Sequence, residues 1–150
     1  MNGQTIAVST VIDALPDQVW AVLEPVEHHV DWMADAEAIR FTSEQTRGVG
    51  TTFLCDTKVG PIRMTDPMEI VEWEPGHAMG VRHTGIVSGV GRFTLSQRGT
   101  SSTHFVWRET LTFPWWLGGP IAGVLGGKLV LRFIWKRNLK ALKQLVEATR

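Results

Sequence analysis

A glutamate interrupts the apolar side of the clearest strand pattern in the sequence. Residues 103–113 alternate, and Glu109 falls on the same side as Phe105, Trp107 and Leu111. A carboxylate in an apolar wall is costly unless it is paired or protonated. Glu109 is therefore predicted to be either a polar contact or acid/base for a ligand, or one half of an internal ion pair. Arginines on other predicted strands are candidate partners: Arg63, Arg82 and Arg92.

A histidine occupies a comparable position on another predicted strand. Over residues 77–84, His83 shares one side with Met79 and Val81. Imidazole titrates near neutral pH, so His83 can act as a general base or hydrogen-bond a ligand carbonyl. The alternative is an interior or rim histidine that is hydrogen-bonded within the protein. Glu109 and His83 are the two candidates for catalysis.

The other reactive side chains carry weaker signals. Cys55 is the only cysteine, which excludes an intrachain disulfide and favours a small buried residue over a nucleophile. His28 and His29 are adjacent rather than three or four residues apart, so they cannot easily bind one ion from one helix face. We therefore predict no metal site, and no motif in the sequence indicates a cofactor.

A long C-terminal helix is the element that must position these side chains. Residues 128–149 contain no proline or glycine, and their charged residues recur at intervals of three to four. A helix of roughly 20 residues spans about 30 Å. Apolar residues fall mostly on its opposite face: Leu131, Ile134, Trp135, Leu142, Leu145 and Val146.

Almost everything before this helix has the pattern of a strand, apart from two short helices around residues 16–32. Tight turns between the later strands predict an antiparallel meander. We predict an α+β fold, in which a curved antiparallel sheet of about seven strands wraps around the long C-terminal helix, with two short helices after the first strand. The 150 residues form one domain without repeats. A strongly bent sheet with one helix across it leaves a cavity between them.

Three sets of short strings, in this order along the chain, resemble those of a known family. Residues 14–20 read Ala-Leu-Pro-Asp-Gln-Val-Trp. Next come Asp31-Trp-Met and Gly48-Val-Gly-Thr-Thr-Phe. The third set is Ile70-Val-Glu-Trp-Glu-Pro-Gly, Arg92-Phe-Thr-Leu and Ser102-Thr-His-Phe-Val-Trp. Together they resemble the START-like superfamily, which has the helix-grip fold, and more closely its polyketide cyclase/dehydrase branch, the SRPBCC group.

The resemblance implies a hydrophobic cavity under the long helix, but it does not fix the chemistry, because carriers, receptors and cyclases share this fold. We expect binding of a hydrophobic small molecule, such as a lipid, a polyketide or an aromatic metabolite, rather than catalysis. The alternative is a polyketide cyclase or dehydratase with Glu109 or His83 as acid/base. The predicted ligand-binding residues are Phe53, Cys55, Met79, Val81, His83, Phe93, Phe105, Trp107, Glu109, Leu111, Leu131 and Trp135.

Charge suggests further partners. The net formal charge is zero, which disfavours nucleic acid. Seven of the bases lie from Lys128 onward, where they either attract the acidic amino-terminal part or contact anionic lipid. Trp115 and Trp116 lie in a glycine-rich stretch, which predicts a gate, a contact with a membrane surface or a second subunit, or close packing of the backbone against the two short helices. A surface module and a homodimer are therefore further alternatives. No signal peptide is visible, and the predicted location is cytoplasmic.

Overall fold

The computed structural model describes residues 4–113 and 128–150. In these residues, β1 (Gln4–Ile12) is followed by α1 (Pro16–Leu23) and a 3₁₀ helix (Val26–Asp31). Six further strands and one long helix follow: β2 (Ala36–Phe41), β3 (Thr52–Val59), β4 (Ile62–Glu74), β5 (Ala78–Thr84), β6 (Ser88–Arg98), β7 (Ser102–Thr112) and α2 (Lys128–Thr149). The predicted α+β order of elements is confirmed.

The seven strands in the described part of the chain form one antiparallel sheet in the order β1-β7-β6-β5-β4-β3-β2. Strands β2 to β7 are sequential neighbours, as expected of a meander, and β1 closes the order by pairing with β7. Register shifts interrupt the pairing of β2 with β3 and of β4 with β5. Such bulges bend a strand and increase its twist, which helps the sheet to curve around a helix.

The helix α2 lies against the sheet through one buried face. The ring of Trp135 stacks on that of Trp107 of β7, with 4.8 Å between centroids and an angle of 21° between the planes. Farther along the helix, Lys143 Nζ donates a 2.8 Å hydrogen bond to the Val11 carbonyl. The predicted attraction between acidic and basic ends occurs where Arg150 pairs with Asp13.

Asn138 is a buried polar residue in the centre of this apolar face. It is 1% exposed, its Oδ1 accepts a 3.0 Å hydrogen bond from the Ala34 amide, and its Nδ2 donates a 2.7 Å bond to Asp35 Oδ1. Asn138 therefore ties α2 to the segment after the 3₁₀ helix. The sequence pattern did not identify it, because its partners lie about a hundred residues away. No helix in the described parts of the chain is long and apolar enough to cross a membrane.

We expect Asn138→Leu to lower the free energy of unfolding by about 2–3 kcal/mol, because the Ala34 amide and the Asp35 carboxyl lose their partner. Urea denaturation measures this change. The control is Gln144→Ala, at an exposed position of the same helix, which should change stability by less than about 0.5 kcal/mol. Equal stability of Asn138→Leu and the wild type would contradict this role.

Candidate functional site

A cavity of about 140 Å³ lies between the sheet and the N-terminal half of α2. Its walls come from strands β2 to β7, from the segment around the 3₁₀ helix, and from Leu131 and Trp135 of α2. The C-terminal half of α2 fills its side of the sheet with fully buried Leu139, Leu142 and Val146. Among the described residues, α2 thus fills only part of the concave face, and the cavity lies beside that part.

The structure brings almost all of the predicted ligand-binding residues to this cavity. Phe105 is the exception, since it does not border the cavity and is fully buried, with its ring centroid 5.4 Å from that of Phe93. The residues that border the cavity are Phe53, Cys55, Met79, Val81, His83, Phe93, Trp107, Glu109, Leu111, Leu131 and Trp135. Whether they bind a ligand stays a prediction.

Methionines form a larger part of the wall than the sequence analysis proposed. All four methionines after Met1 border the cavity: Met33, Met64, Met68 and Met79. The methionine side chain is flexible and polarizable, so it adapts to ligands of different shape. The signal was present in β4, where Met64 and Met68 are four residues apart and therefore lie on the same side of a strand.

Glu109 and His83 meet across the wall formed by β5, β6 and β7. Glu109 Oε1 accepts a 2.9 Å hydrogen bond from Trp107 Nε1. Glu109 Oε2 lies 3.2 Å from His83 Nε2, which is ion-pair distance, but the two atoms are not aligned as a hydrogen bond. The glutamate reaches β5 by passing over Gly91 of the intervening strand β6. A Cβ at Gly91 would lie 2.7 Å from Glu109 Oε1, so this glycine leaves room for the pair.

The pair is isolated from the surface arginines. The side chains of His83 and Glu109 are 13% and 10% exposed. Burial alone would lower the pKa of His83, but contact with Glu109 and the negative charge of Asp66 outweigh it, and the pKa is raised. Among the described residues the ion-pair partner of Glu109 is His83, and the arginines proposed from the sequence do not reach it: Arg63, Arg82 and Arg92.

Asp66 of β4 is a second buried carboxyl at the cavity, and the sequence analysis did not identify it. It lies on the same side of the sheet as His83, because Met68, two residues away, is paired with His83. Asp66 is 4% exposed, and its Oδ1 has no hydrogen-bond partner among the described residues. Burial raises its pKa, although the charge of His83 opposes this shift.

The remaining polar groups at the cavity are less reactive. Burial raises the pKa of Asp35, although its hydrogen bond from Asn138 opposes this. Burial lowers the pKa of His29 to about 4, so this imidazole is neutral near pH 7 and donates a 2.7 Å bond from Nε2 to the Leu23 carbonyl. Burial also raises the pKa of the Cys55 thiol to about 11, so it is not an activated nucleophile. No group of three or more His, Cys, Asp or Glu side chains in the described ranges is placed to hold a metal.

The predicted gate at Trp115 and Trp116 lies outside the described residues. At the start of α2, three large apolar side chains are exposed beside Lys128 and Arg132: Leu129, Val130 and Phe133. Contact with a membrane surface or a second subunit stays a prediction.

The seven-stranded sheet, the long terminal helix and the cavity between them define a START-like protein with the helix-grip fold. The family described as "Polyketide cyclase / dehydrase and lipid transport" matches residues 3–147. The chain therefore belongs to that family, as its sequence motifs indicated. No curated protein matches this sequence significantly.

Several solved structures share the fold. A protein of Thermus thermophilus is 16% identical, with a TM-score of 0.81 and coverage of 97% of this chain and 99% of that one. The Zhui aromatase/cyclase of a Streptomyces species is 18% identical, with a TM-score of 0.74 and coverage of 97% and 94%. A START superfamily protein of Mycobacterium smegmatis is 12% identical, with a TM-score of 0.79 and coverage of 97% and 99%. These identities are low, so the similarities show the fold alone.

We expect Glu109→Gln to lower the pKa of His83, because the imidazolium loses the adjacent negative charge while burial still disfavours it. Titration of the imidazole by NMR measures the change. The matched control is Glu69→Gln on the outer face of β4, where Glu69 pairs with Arg82, and it should leave the pKa of His83 unchanged.

The same pair should affect stability against pH. In the wild type, a raised pKa of His83 stabilises the fold fully below about pH 6.5, and this contribution is lost as the pH rises through the folded pKa. In Glu109→Gln this decline should be smaller. An unchanged pKa of His83 in Glu109→Gln would contradict the pairing.

Proposed function

We propose that this protein binds a hydrophobic small molecule in the cavity beneath α2. The observation that supports this function is the cavity itself, about 140 Å³ in volume and walled mainly by apolar and aromatic side chains. An apolar cavity of about 150 Å³ in another protein stays dry and binds benzene. A ligand built on one aromatic ring, or on an apolar body of similar size, would therefore fit without rearrangement of the wall.

Larger members of the same chemical class would require the wall to adapt. The four methionines give the wall that capacity, since each can change rotamer without breaking a hydrogen bond. The family description includes lipid transport, which is consistent with carriage of an apolar molecule. Glu109 and His83 would orient the ligand through its polar group. The cytoplasmic location and the absence of a cofactor stay predictions from the sequence.

Filling the cavity should abolish binding. We expect Val81→Phe, which adds a ring inside the wall, to weaken the binding of ethylbenzene at least tenfold, as measured by ligand-observed NMR. The matched control is Val90→Phe, since Val90 is exposed on the next strand and does not border the cavity. The control should bind ethylbenzene as the wild type does.

Native mass spectrometry of the purified protein, followed by extraction, complements this test by identifying any molecule that co-purifies. Binding of ethylbenzene that is equal in Val81→Phe and the wild type would contradict the cavity as the site. No binding of ethylbenzene to the wild type would contradict the proposed function directly.

A polyketide cyclase or dehydratase is the second candidate, and the His83–Glu109 pair favours it. A carboxylate 3.2 Å from a buried imidazole is an arrangement that can hold and transfer a proton. The cavity would restrict a flexible substrate to one reactive conformer. The Streptomyces protein with the same fold is described as an aromatase/cyclase, which makes this chemistry worth testing here.

Glu109→Gln distinguishes the two functions. A carrier with this substitution should retain ethylbenzene binding within about twofold. A catalyst should retain binding as well but lose roughly 10²–10⁴-fold in the turnover of a thioester-linked poly-β-ketone. The absorbance of the ring product measures that turnover. Glu69→Gln is the control for both measurements. Wild-type protein that binds the substrate without converting it would leave carriage as the function.

A further inference from the structure

More carboxyl groups than basic side chains that could pair with them border the cavity. Three carboxyl side chains border it, those of Asp35, Asp66 and Glu109. Arg92 also borders the cavity, but its guanidinium binds Glu72 through bonds of 2.6 and 2.9 Å at an exposed position. Two imidazoles complete the set of titratable nitrogen groups at the described wall.

The two imidazoles do not balance the three carboxyls. The first, His29, is neutral because its pKa is about 4, and its Nε2 already donates to a backbone carbonyl. The second, His83, lies at ion-pair distance from Glu109. Asp35 has a hydrogen bond from Asn138, which is uncharged, and Asp66 has no cation within ion-pair distance among the described residues.

Asp66 is the strongest indication that the missing group belongs to a ligand. Its Oδ1 is buried without a partner, in a residue that is 4% exposed and borders the cavity. The absence of a side chain at Gly85 makes room for the carboxyl, since a Cβ there would overlap Asp66 Oδ1. A buried, unpaired polar atom is costly, and native proteins contain few of them.

Residues 114–127, which precede α2, bring no cationic side chain to the cavity. Residues 114–127 contain no Lys, Arg, His, Asp or Glu. The excess of carboxyl groups at the cavity is therefore not cancelled by a base from that part of the sequence.

From this arrangement we infer that the cavity selects an apolar molecule that carries a protonated amine, and disfavours the corresponding carboxylic acid. The inference rests on the proposed function and names its ligand class. The ammonium group donates to Asp66 Oδ1 and stabilises the ionised form of this carboxyl, whereas a ligand carboxylate would oppose that ionisation through its like charge. An alcohol of the same shape can donate a hydrogen bond but cannot pair the charge, so its affinity lies between the two.

Calorimetric titration of the wild-type protein at pH 7 with compounds of similar size tests this order. The probes are 2-phenylethylamine, 2-phenylethanol and phenylacetic acid, with ethylbenzene as the uncharged reference. We expect the amine to bind at least tenfold more tightly than the acid, with the alcohol between them. An acid that binds as tightly as the amine would overturn the inference, and this comparison needs no variant.

Asp66→Asn assigns the effect to a residue. This substitution should weaken binding of the amine at least fivefold and leave ethylbenzene within about twofold, which also shows that the variant is folded. The control is Asp56→Asn on β3, where Asp56 pairs with Arg40 away from the cavity, and it should change neither affinity. An unchanged affinity for the amine in Asp66→Asn would overturn the role of Asp66.

The two proposals fail in different ways. If ethylbenzene binds but the acid equals the amine, ligand binding stands and the preference for amines is wrong. If neither ethylbenzene nor the amine binds, the proposed function and the ligand class are both wrong.

Discussion

The stacking of Trp135 on Trp107 divides the interface between the helix and the sheet into two parts. On the C-terminal side of this contact, Leu139, Leu142 and Val146 are essentially inaccessible to solvent, and α2 is closely packed. On its N-terminal side, Leu131 borders the cavity. Close packing is the normal condition of a protein interior, so an open half next to a filled half is a specific property of this fold. The stability of the domain can come from the first half while the second remains free for a ligand.

A buried polar group that borders the cavity needs a hydrogen-bond or ion-pair partner within the protein or from a ligand. Glu109 has two such partners, Trp107 Nε1 and His83. Its carboxylate can cross β6 because Gly91 has no side chain in the way. Asp66 differs, because its Oδ1 has no hydrogen-bond partner among the described residues. Natural proteins tend to violate such local rules at functional sites. The two carboxyls of this cavity therefore differ as indicators of a binding site, because only Asp66 violates the rule. Glu109 is paired within the protein, whereas Asp66 is the carboxyl to which the proposed ligand would donate.

The sequence predicted which side of a strand faces inward more reliably than how deep each residue lies. On β7 the alternation continues without a register shift, so Trp107, Glu109 and Leu111 all point to the cavity side, as expected. Phe105 has the same parity but lies beyond the end of the cavity, where the core is filled. Depth depends on where α2 crosses the sheet, and that position is set by long-range contacts such as those of Asn138.

The overall net charge of zero conceals an uneven distribution of charge between the surface and the cavity. Bases such as Arg82 and Arg92 pair with acids at exposed positions, while Asp66 and Glu109 lie inside. The numbers of acids and bases therefore balance over the whole chain but not within the cavity. Relatives that are only 12–18% identical share the backbone that creates the space, and the backbone alone says nothing about this charge. The ligand class of a helix-grip protein must therefore be determined from the side chains of each cavity.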